Sequence, residues 1–188
     1  MSSNLADLVI LSIVARKNVA YTDIISVVKD IAGDYWSPTG DVLCEAVEEL
    51  ISKSFLEIQH SALNGECLQI TKTGLEEFSS LLLRLTDRDT EIQYSRLLEL
   101  LQLRSLDLVP GTVARTIIEQ MLQRANSSIE KLEQREQVAG HEGRFMGVWL
   151  SAEKQDLNNR ANILSEIART DLLHLGCLPI YDTDLMVI

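Results

Sequence analysis

Apolar residues recur at helical spacing through the first fifty residues of the chain and predict three amphipathic helices, over residues 3–16, 21–31 and 38–53. Ser37 followed by Pro38 predicts the N-cap and the first helical position of the third helix. The apolar residues of that helix form one stripe, which indicates a buried inner face. Its opposite face carries Asp41, Cys44, Glu45, Glu48, Glu49 and Ser52.

After the third helix the hydrophobic period changes from that of a helix to that of a strand. Residues 55–59 alternate like a half-buried strand, Asn64-Gly65 is typical of a hairpin turn, and residues 67–70 return as the second strand. Thr73 is predicted to cap a fourth helix over residues 74–85. Three helices, a two-stranded hairpin and a helix, in that order, predict a winged helix-turn-helix.

The remainder of the chain is predicted to be helical, with segments over residues 89–105, 110–138 and 144–173. The last two are long and have only a thin apolar seam, so they need the winged helix or a second chain to bury it. We therefore expect an α+β, mostly α protein. Its winged helix-turn-helix domain would span residues 1–86, and a helical dimerisation domain with a C-terminal tail would span residues 87–188.

Charge and composition narrow the classes of function. The 188 residues include 28 acidic and 17 basic side chains, for a net charge of −11 spread over both halves of the chain. A broad positive field is therefore absent, which argues against a generic polyanion binder or a peripheral membrane protein. The longest apolar run, residues 8–15, is too short for a membrane span, and the N-terminus lacks a basic region typical of a secretory signal. We expect a cytoplasmic protein without a membrane partner.

The potentially reactive side chains follow no recognisable catalytic or metal-binding spacing. The sequence has no P-loop, no GxGxxG, no HExxH and no Ser, His and Asp in a triad order. We therefore expect no enzyme, catalytic residue, metal or cofactor. Three cysteines without CxxC spacing favour a reducing compartment over a disulfide framework. These scattered residues are His60, His141, His174, Cys44, Cys67 and Cys177.

Three stretches resemble the PadR family of bacterial transcription regulators. Residues 11–15 (LSIVA) and 21–25 (YTDII) resemble its first helix and HGYEI opening. Residues 36–39 (WSPT) and 43–46 (LCEA) resemble its WSPSPGTLYPALKRLEEEGLI segment, and residues 68–74 (LQITKTG) resemble its YxLTxxG motif. The resemblance covers about 85 residues; beyond them it is architectural.

The resemblance implies a homodimer that binds double-stranded DNA, with the third helix in the major groove and the wing along the flanking backbone. It also implies that an effector, if one exists, would bind near Phe145 and Trp149 at the dimer seam, although we favour plain packing between subunits as the role of these aromatics. The expected DNA contacts are Thr22, Ser37, Thr39, Gly40, Lys53, Asn64 and Lys72.

The chain departs from the family at the positions that would face DNA. Cys44-Glu45 stands where the family has Tyr-Pro, and Glu48-Glu49 where a Lys-Arg pair is frequent. The wing, residues 60–66, has no permanent cation. Because phosphate contacts supply most non-specific affinity, two hypotheses remain open. The chain is either a DNA-binding regulator or a winged helix that has lost DNA binding and acts as a protein-interaction module or antagonist.

Overall fold

The computed structural model describes residues 2–61, 65–84, 94–138 and 144–169. Within them the chain is mostly helical with one small antiparallel sheet, which confirms the predicted winged helix followed by long helices. The elements are α1 (Ser2–Val14), β1 (Val19–Ala20), α2 (Ile24–Ala32), α3 (Gly40–Ser52), β2 (Leu56–Ser61), β3 (Gly65–Ile70), α4 (Lys72–Arg84), α5 (Ser95–Arg104), α6 (Gly111–Val138) and α7 (Arg144–Arg169).

Helix α1 lies at the centre of the winged helix. All residues from Leu5 to Val14 are buried, because α2, α3, α4 and β3 surround the helix. The sequence predicted a helix here, and its unusually apolar composition reflects burial on every side. Ser12 tolerates this position because its hydroxyl donates to the carbonyl oxygen of Val9 at 2.7 Å.

The sheet has three strands in the order β1-β3-β2, all antiparallel. The predicted hairpin is confirmed, with Leu56 opposite Ile70 and Ser61 opposite Gly65. A third strand was not predicted: Val19 and Ala20 pair with Leu68 and Cys67. Two residues are too few to show a period of two, so the sequence pattern could not reveal this strand.

The predicted start of the third helix is wrong by two residues. The segment before α3 remains non-helical through Thr39, whose backbone is extended, and Gly40 is the first helical residue. Ser37 is therefore not the N-cap, and Pro38 is not in the first turn. The N-cap position is held instead by Thr39, two residues beyond Ser37, and threonine is also a favoured residue there.

The predicted cap of the fourth helix is also wrong. Thr71, rather than Thr73, is the residue before α4, and its hydroxyl oxygen accepts from the backbone N–H of Gly74 at 3.0 Å. The hydroxyl of Thr73 instead donates to the carbonyl oxygen of Ser54 at 2.9 Å. The two threonines thus tie the start of α4 to the turn between α3 and β2.

One hydrophobic core joins the winged helix to the helices that follow it. Leu97 and Leu101 of α5 and Ile117 of α6 are fully buried in the same cluster as α1, and Leu164 of α7 also reaches this cluster. The proximal half of the long hairpin is therefore packed within one chain. Farther along, the ammonium group of Lys154 lies 3.1 Å and 3.2 Å from carboxylate oxygens of Glu133 and Glu136, which holds α7 against α6.

Candidate nucleic-acid interface

The two faces of α3 divide as the sequence predicted. Its inner face is fixed by burial of Leu43, Val47 and Leu50 in the core. Because this stripe fixes the rotation of the helix, the opposite face is turned outward. That face carries the exposed side chains Asp41, Glu45, Glu48 and Ser52, with Cys44 half-buried at its edge.

The N-terminus of α3 is open to solvent. Ser37 and Thr39 are exposed, and a Cβ on Gly40 would stand 3.4 Å from the Cδ1 atom of Ile25, so the loop packs closely on α2 here. Backbone N–H groups at a helix N-terminus favour an anion such as phosphate. Asp41, in the first turn of α3, opposes that preference with a negative charge.

The predicted cationic contacts lie at the other end of α3. Lys53 follows the helix, and Lys72 is exposed at the start of α4, beside the Thr71 and Thr73 contacts with Ser54. Since a 13-residue helix is about 20 Å long, the structure separates the predicted contacts into two groups. Ser37, Thr39 and Gly40 form one group, and Lys53 and Lys72 form the other.

The remaining predicted contacts are placed as follows. Thr22 is exposed in a 3-10 turn, Tyr21–Asp23, that precedes α2, and its hydroxyl donates to Oδ1 of Asp23 at 3.2 Å. The second helix was predicted to begin at Tyr21, and this turn delays it to Ile24. Asn64 lies outside the described residues.

Lys53 is engaged by a neighbouring carboxylate. Its Nζ atom lies 2.6 Å from Oε1 of Glu49, one turn back on the same face of the chain. This hydrogen bond raises the pKa of Lys53 above its ordinary value. A phosphate group would have to compete with Glu49 for the ammonium group, so Lys53 is a weaker candidate for DNA contact than its sequence position suggested.

Other cations of the winged helix are also paired. Arg16 donates through Nη2 to Oδ1 of Asp107 at 2.7 Å, and Arg84 pairs with Glu77 at 2.5 Å. Within the part of the chain that the structure describes, three exposed lysines of the winged helix have no carboxylate partner. They are Lys17, Lys29 and Lys72.

Tyr21 is a residue that sequence reasoning missed. It is half-buried where the 3-10 turn meets α3 and β3, and its pKa is raised above the ordinary value, first by burial and then by Cys44, Glu48 and Glu66. Burial and the charges of Glu48 in α3 and Glu66 in β3 thus all oppose ionisation of this phenol. No local sequence signal marks this position, because Glu48 and Glu66 come near it only through the fold.

The predicted seam residues form an exposed apolar surface on α7. Phe145 is 88% exposed and Trp149 is 55% exposed, and Val148 between them is 64% exposed. Leu150, on the other side of the helix, is buried. Large apolar side chains left in water at adjacent positions are typical of an interaction surface.

Neither metal coordination nor membrane insertion is indicated within the described ranges. They contain no group of three or more His, Cys, Asp and Glu side chains placed to hold a metal ion. The helices of these ranges are also too short or too polar to span a membrane.

Comparison with solved structures gives several overlaps of low sequence identity. Bacillus subtilis PadR in complex with operator DNA is 15% identical, covering 92% of this chain and 99% of that chain, with a TM-score of 0.40. The same protein in complex with p-coumaric acid is 14% identical, with coverage of 93% and 97% and a TM-score of 0.42. A PadR-like transcriptional regulator from Bacillus cereus is 16% identical, with coverage of 90% and 95% and a TM-score of 0.39.

The assignment to a family rests on sequence rather than on these superpositions. No curated protein matches the chain. The family model described as "Putative AphA-like transcriptional regulator" matches residues 3–168 and so spans both the winged helix and the long helices. This match confirms the predicted PadR-type winged-helix regulator, and the chain belongs to the AphA-like family of transcriptional regulators.

Proposed function

We propose that this protein regulates transcription as a cytoplasmic homodimer that binds double-stranded DNA. In this proposal, residues 1–86 form the DNA-binding domain and residues 87–188 the dimerisation domain. The observation that supports it most is the orientation of α3. The buried stripe of this helix turns its exposed face and its open N-terminus toward solvent, as a recognition helix requires.

The DNA contacts would be shared between the two ends of α3. Thr39 and the N–H groups that begin at Gly40 would hold a backbone phosphate at the N-terminus of the helix. Lys72 would contact the backbone at the base of the wing, and Thr22 at the turn before α2. The outward carboxylates of α3 can only accept hydrogen bonds, so in the major groove they would pair best with the amino group of cytosine, which donates.

The exposed apolar surface of α7 supports the proposal of a second subunit. Phe145, Val148 and Trp149 expose apolar surface that a single chain leaves in water. Burial of such surface contributes about 25 cal/mol per Å², so an identical surface on a second chain would gain from covering it. An effector would bind along the same seam.

Selection from a pool of genomic fragments at low salt tests the proposal. Purified wild-type protein should enrich one palindromic site, and light scattering should give the mass of two chains. The variant Thr39→Asp, which adds a negative charge at the α3 N-terminus, should lose that site while remaining a dimer. Ser26→Asp, which places the same charge at an exposed position of α2, is the matched control.

A second function is favoured by the charge of α3. Its exposed face carries Asp41, Glu45 and Glu48, and the neighbouring cations Lys53 and Arg16 are paired within the chain. A surface of this charge suits a basic protein partner better than a phosphate backbone, so the winged helix would then act as an antagonist or interaction module. If a folded wild-type dimer enriches no fragment even at low salt, this second function replaces the first.

A further inference from the structure

A single buried amide connects three helices at the junction between the winged helix and the long hairpin. The side chain of Gln102 in α5 is fully buried. Its Nε2 atom donates to the carbonyl oxygen of Leu82 in the last turns of α4 at 3.2 Å. Its Oε1 atom accepts from Nη2 of Arg124, in the middle of α6, at 2.7 Å.

The direction of these hydrogen bonds is fixed by chemistry. A guanidinium group can only donate and a backbone carbonyl can only accept, so the amide has one orientation that satisfies both neighbours. Because its oxygen and nitrogen share one carbon, Leu82 and Arg124 are held at a set separation through Gln102. An apolar side chain at this position could pack but could not impose that separation.

Burial makes this connection costly to break. If α6 moved away from α4, the amide would lose a partner in surroundings that include the buried residues Leu98 and Leu101. A buried polar group without its hydrogen bond costs much more than an exposed one, which would turn to water. The helices on either side of α5 are therefore coupled.

A second polar contact at the junction does not have this property. Arg16, after α1, donates to the carbonyl oxygen of Arg104 at 2.5 Å and to Asp107 at 2.7 Å. Both ends of that ion pair are more than one third exposed to solvent. Water and salt can replace such a contact, so it permits small displacements that the Gln102 amide resists.

We infer that Gln102 is a positioning residue that fixes the angle between α6 and the winged helix. A displacement of α6, whether caused by the second subunit or by a ligand, is then carried to α4 and so to the wing that precedes it. In a dimer this sets the separation of the two α3 helices. The inference about angle stands on one chain, whereas this consequence for DNA rests on the proposed function.

The test is a distance measurement on the free protein. Nitroxide labels are placed at Ser26 in α2 and Gln134 in α6, both exposed, in a chain whose native cysteines are replaced by alanine. Dilution with unlabelled chain keeps the measured distances within one molecule. The chain with Gln102 intact should give one narrow distance distribution.

Three variants separate the two arms of the connection. Gln102→Leu removes both hydrogen bonds of the amide. Of these two, Arg124→Met removes the one with α6, and Gln102→Glu keeps an acceptor for Arg124 but cannot donate to Leu82. Each should broaden the distribution and shift its mean, with the largest change in Gln102→Leu. Gln123→Leu, at an exposed position of α6, is the matched control and should leave the distribution unchanged.

A purely structural role would give a different result. If the folded variants melt at lower temperature but keep the narrow distribution of the parent chain, the inference is overturned. Should Gln102→Leu fail to fold, Arg124→Met and Gln102→Glu decide in the same way. Because no DNA is present, loss of DNA binding in any of these proteins bears only on the proposed function.

Discussion

Two regions of the molecule differ in the burial of their large apolar residues. In the body, which comprises the winged helix, α5 and residues 111–125 of α6, most of the large apolar side chains meet in one buried cluster. At the tip, residues 126–138 and 144–152 at the far end of the α6–α7 hairpin, Phe145 and Trp149 lie mostly in water. The apolar residues of the body are thus buried within one chain, whereas those of the tip offer the surface that the proposed second subunit would cover.

The sharpest contrast is between two aromatic residues. Phe78 of α4 is fully buried in the body, so Phe78→Ala should lower the free energy of unfolding by about 3–5 kcal/mol. Urea unfolding followed by circular dichroism measures this. Trp149→Ala removes a larger side chain at the tip and, at concentrations where the chain is monomeric, should cost less than about 1 kcal/mol. Equal losses in the two variants would contradict the division into body and tip.

Self-association, in contrast to stability, should be sensitive to substitutions at the tip. Phe145→Ser and Trp149→Ser replace apolar side chains at the proposed seam, and each should weaken dimerisation by about 10- to 100-fold. Sedimentation velocity over a concentration series measures this. Phe145→Leu, which keeps an apolar side chain, is the matched control and should lose much less. A wild-type protein that sediments as a monomer would refute the seam.

Substitution of one glycine in the body and one at the tip should change stability in opposite directions. A Cβ at Gly74, where α4 starts, would stand 2.1 Å from the carbonyl oxygen of Phe55, so Gly74→Ala must displace backbone. We expect a loss of about 1–3 kcal/mol. At Gly147, in α7, a Cβ meets no atom within 4 Å, and Gly147→Ala should stabilise its helix by about 0.5–1 kcal/mol. Thermal melting of both variants checks the opposite signs.

Within the body, the two lysines that are predicted to contact DNA should contribute differently to its affinity. Lys72 has no carboxylate partner among the described residues, whereas Lys53 is held by Glu49. On the fragment that the protein selects, Lys72→Gln should lower affinity by about 3- to 10-fold and reduce the salt slope by about two, one for each subunit of the dimer. Lys53→Gln should have the smaller effect. Fluorescence anisotropy measures both, and a larger effect of Lys53→Gln would contradict the pairing.

The smallest effect concerns Tyr21. Its raised pKa means that the folded state disfavours the phenolate, so the absorbance titration at alkaline pH should have its midpoint above 10.0 for this residue. Stability should accordingly fall as pH rises above the ordinary value of tyrosine. Glu48→Gln removes one of the charges responsible and should lower the midpoint, measured in a chain whose other tyrosines are replaced by phenylalanine. An unchanged midpoint would place Glu48 too far from Tyr21 to act on it.

Periodicity predicted most of the helices and the hairpin, because burial of one face leaves a regular trace. The stripe of α3, with Leu43, Val47 and Leu50, was found in this way and is buried as expected. The boundaries of the helices were harder to predict from the sequence. Thr71 and Thr73 are both plausible caps beside Gly74, and only the fold shows that Thr71 accepts from its N–H while Thr73 turns to Ser54.

The candidate site was less predictable than the fold, since its electrostatics depend on long-range contacts. The partner of Arg16, Asp107, lies 91 positions away, so this ion pair could not be predicted from the local sequence. The sequence does not single out Gln102, because a glutamine in a leucine-rich helix is usually solvated. The outward carboxylates of α3, by contrast, follow directly from the stripe opposite them.

We propose that α3 and the wing bind DNA although few cations of the winged helix lack a carboxylate partner. The most direct test is the affinity of the wild-type dimer for its best selected fragment over a series of salt concentrations. Lys17, Lys29 and Lys72 have no carboxylate partner among the described residues, so the two winged helices of a dimer would carry at most six such lysines to contact phosphates. We expect the logarithm of the affinity to fall linearly with the logarithm of the salt concentration, with a slope no steeper than about −5. A folded dimer that binds no fragment at the lowest salt would contradict it.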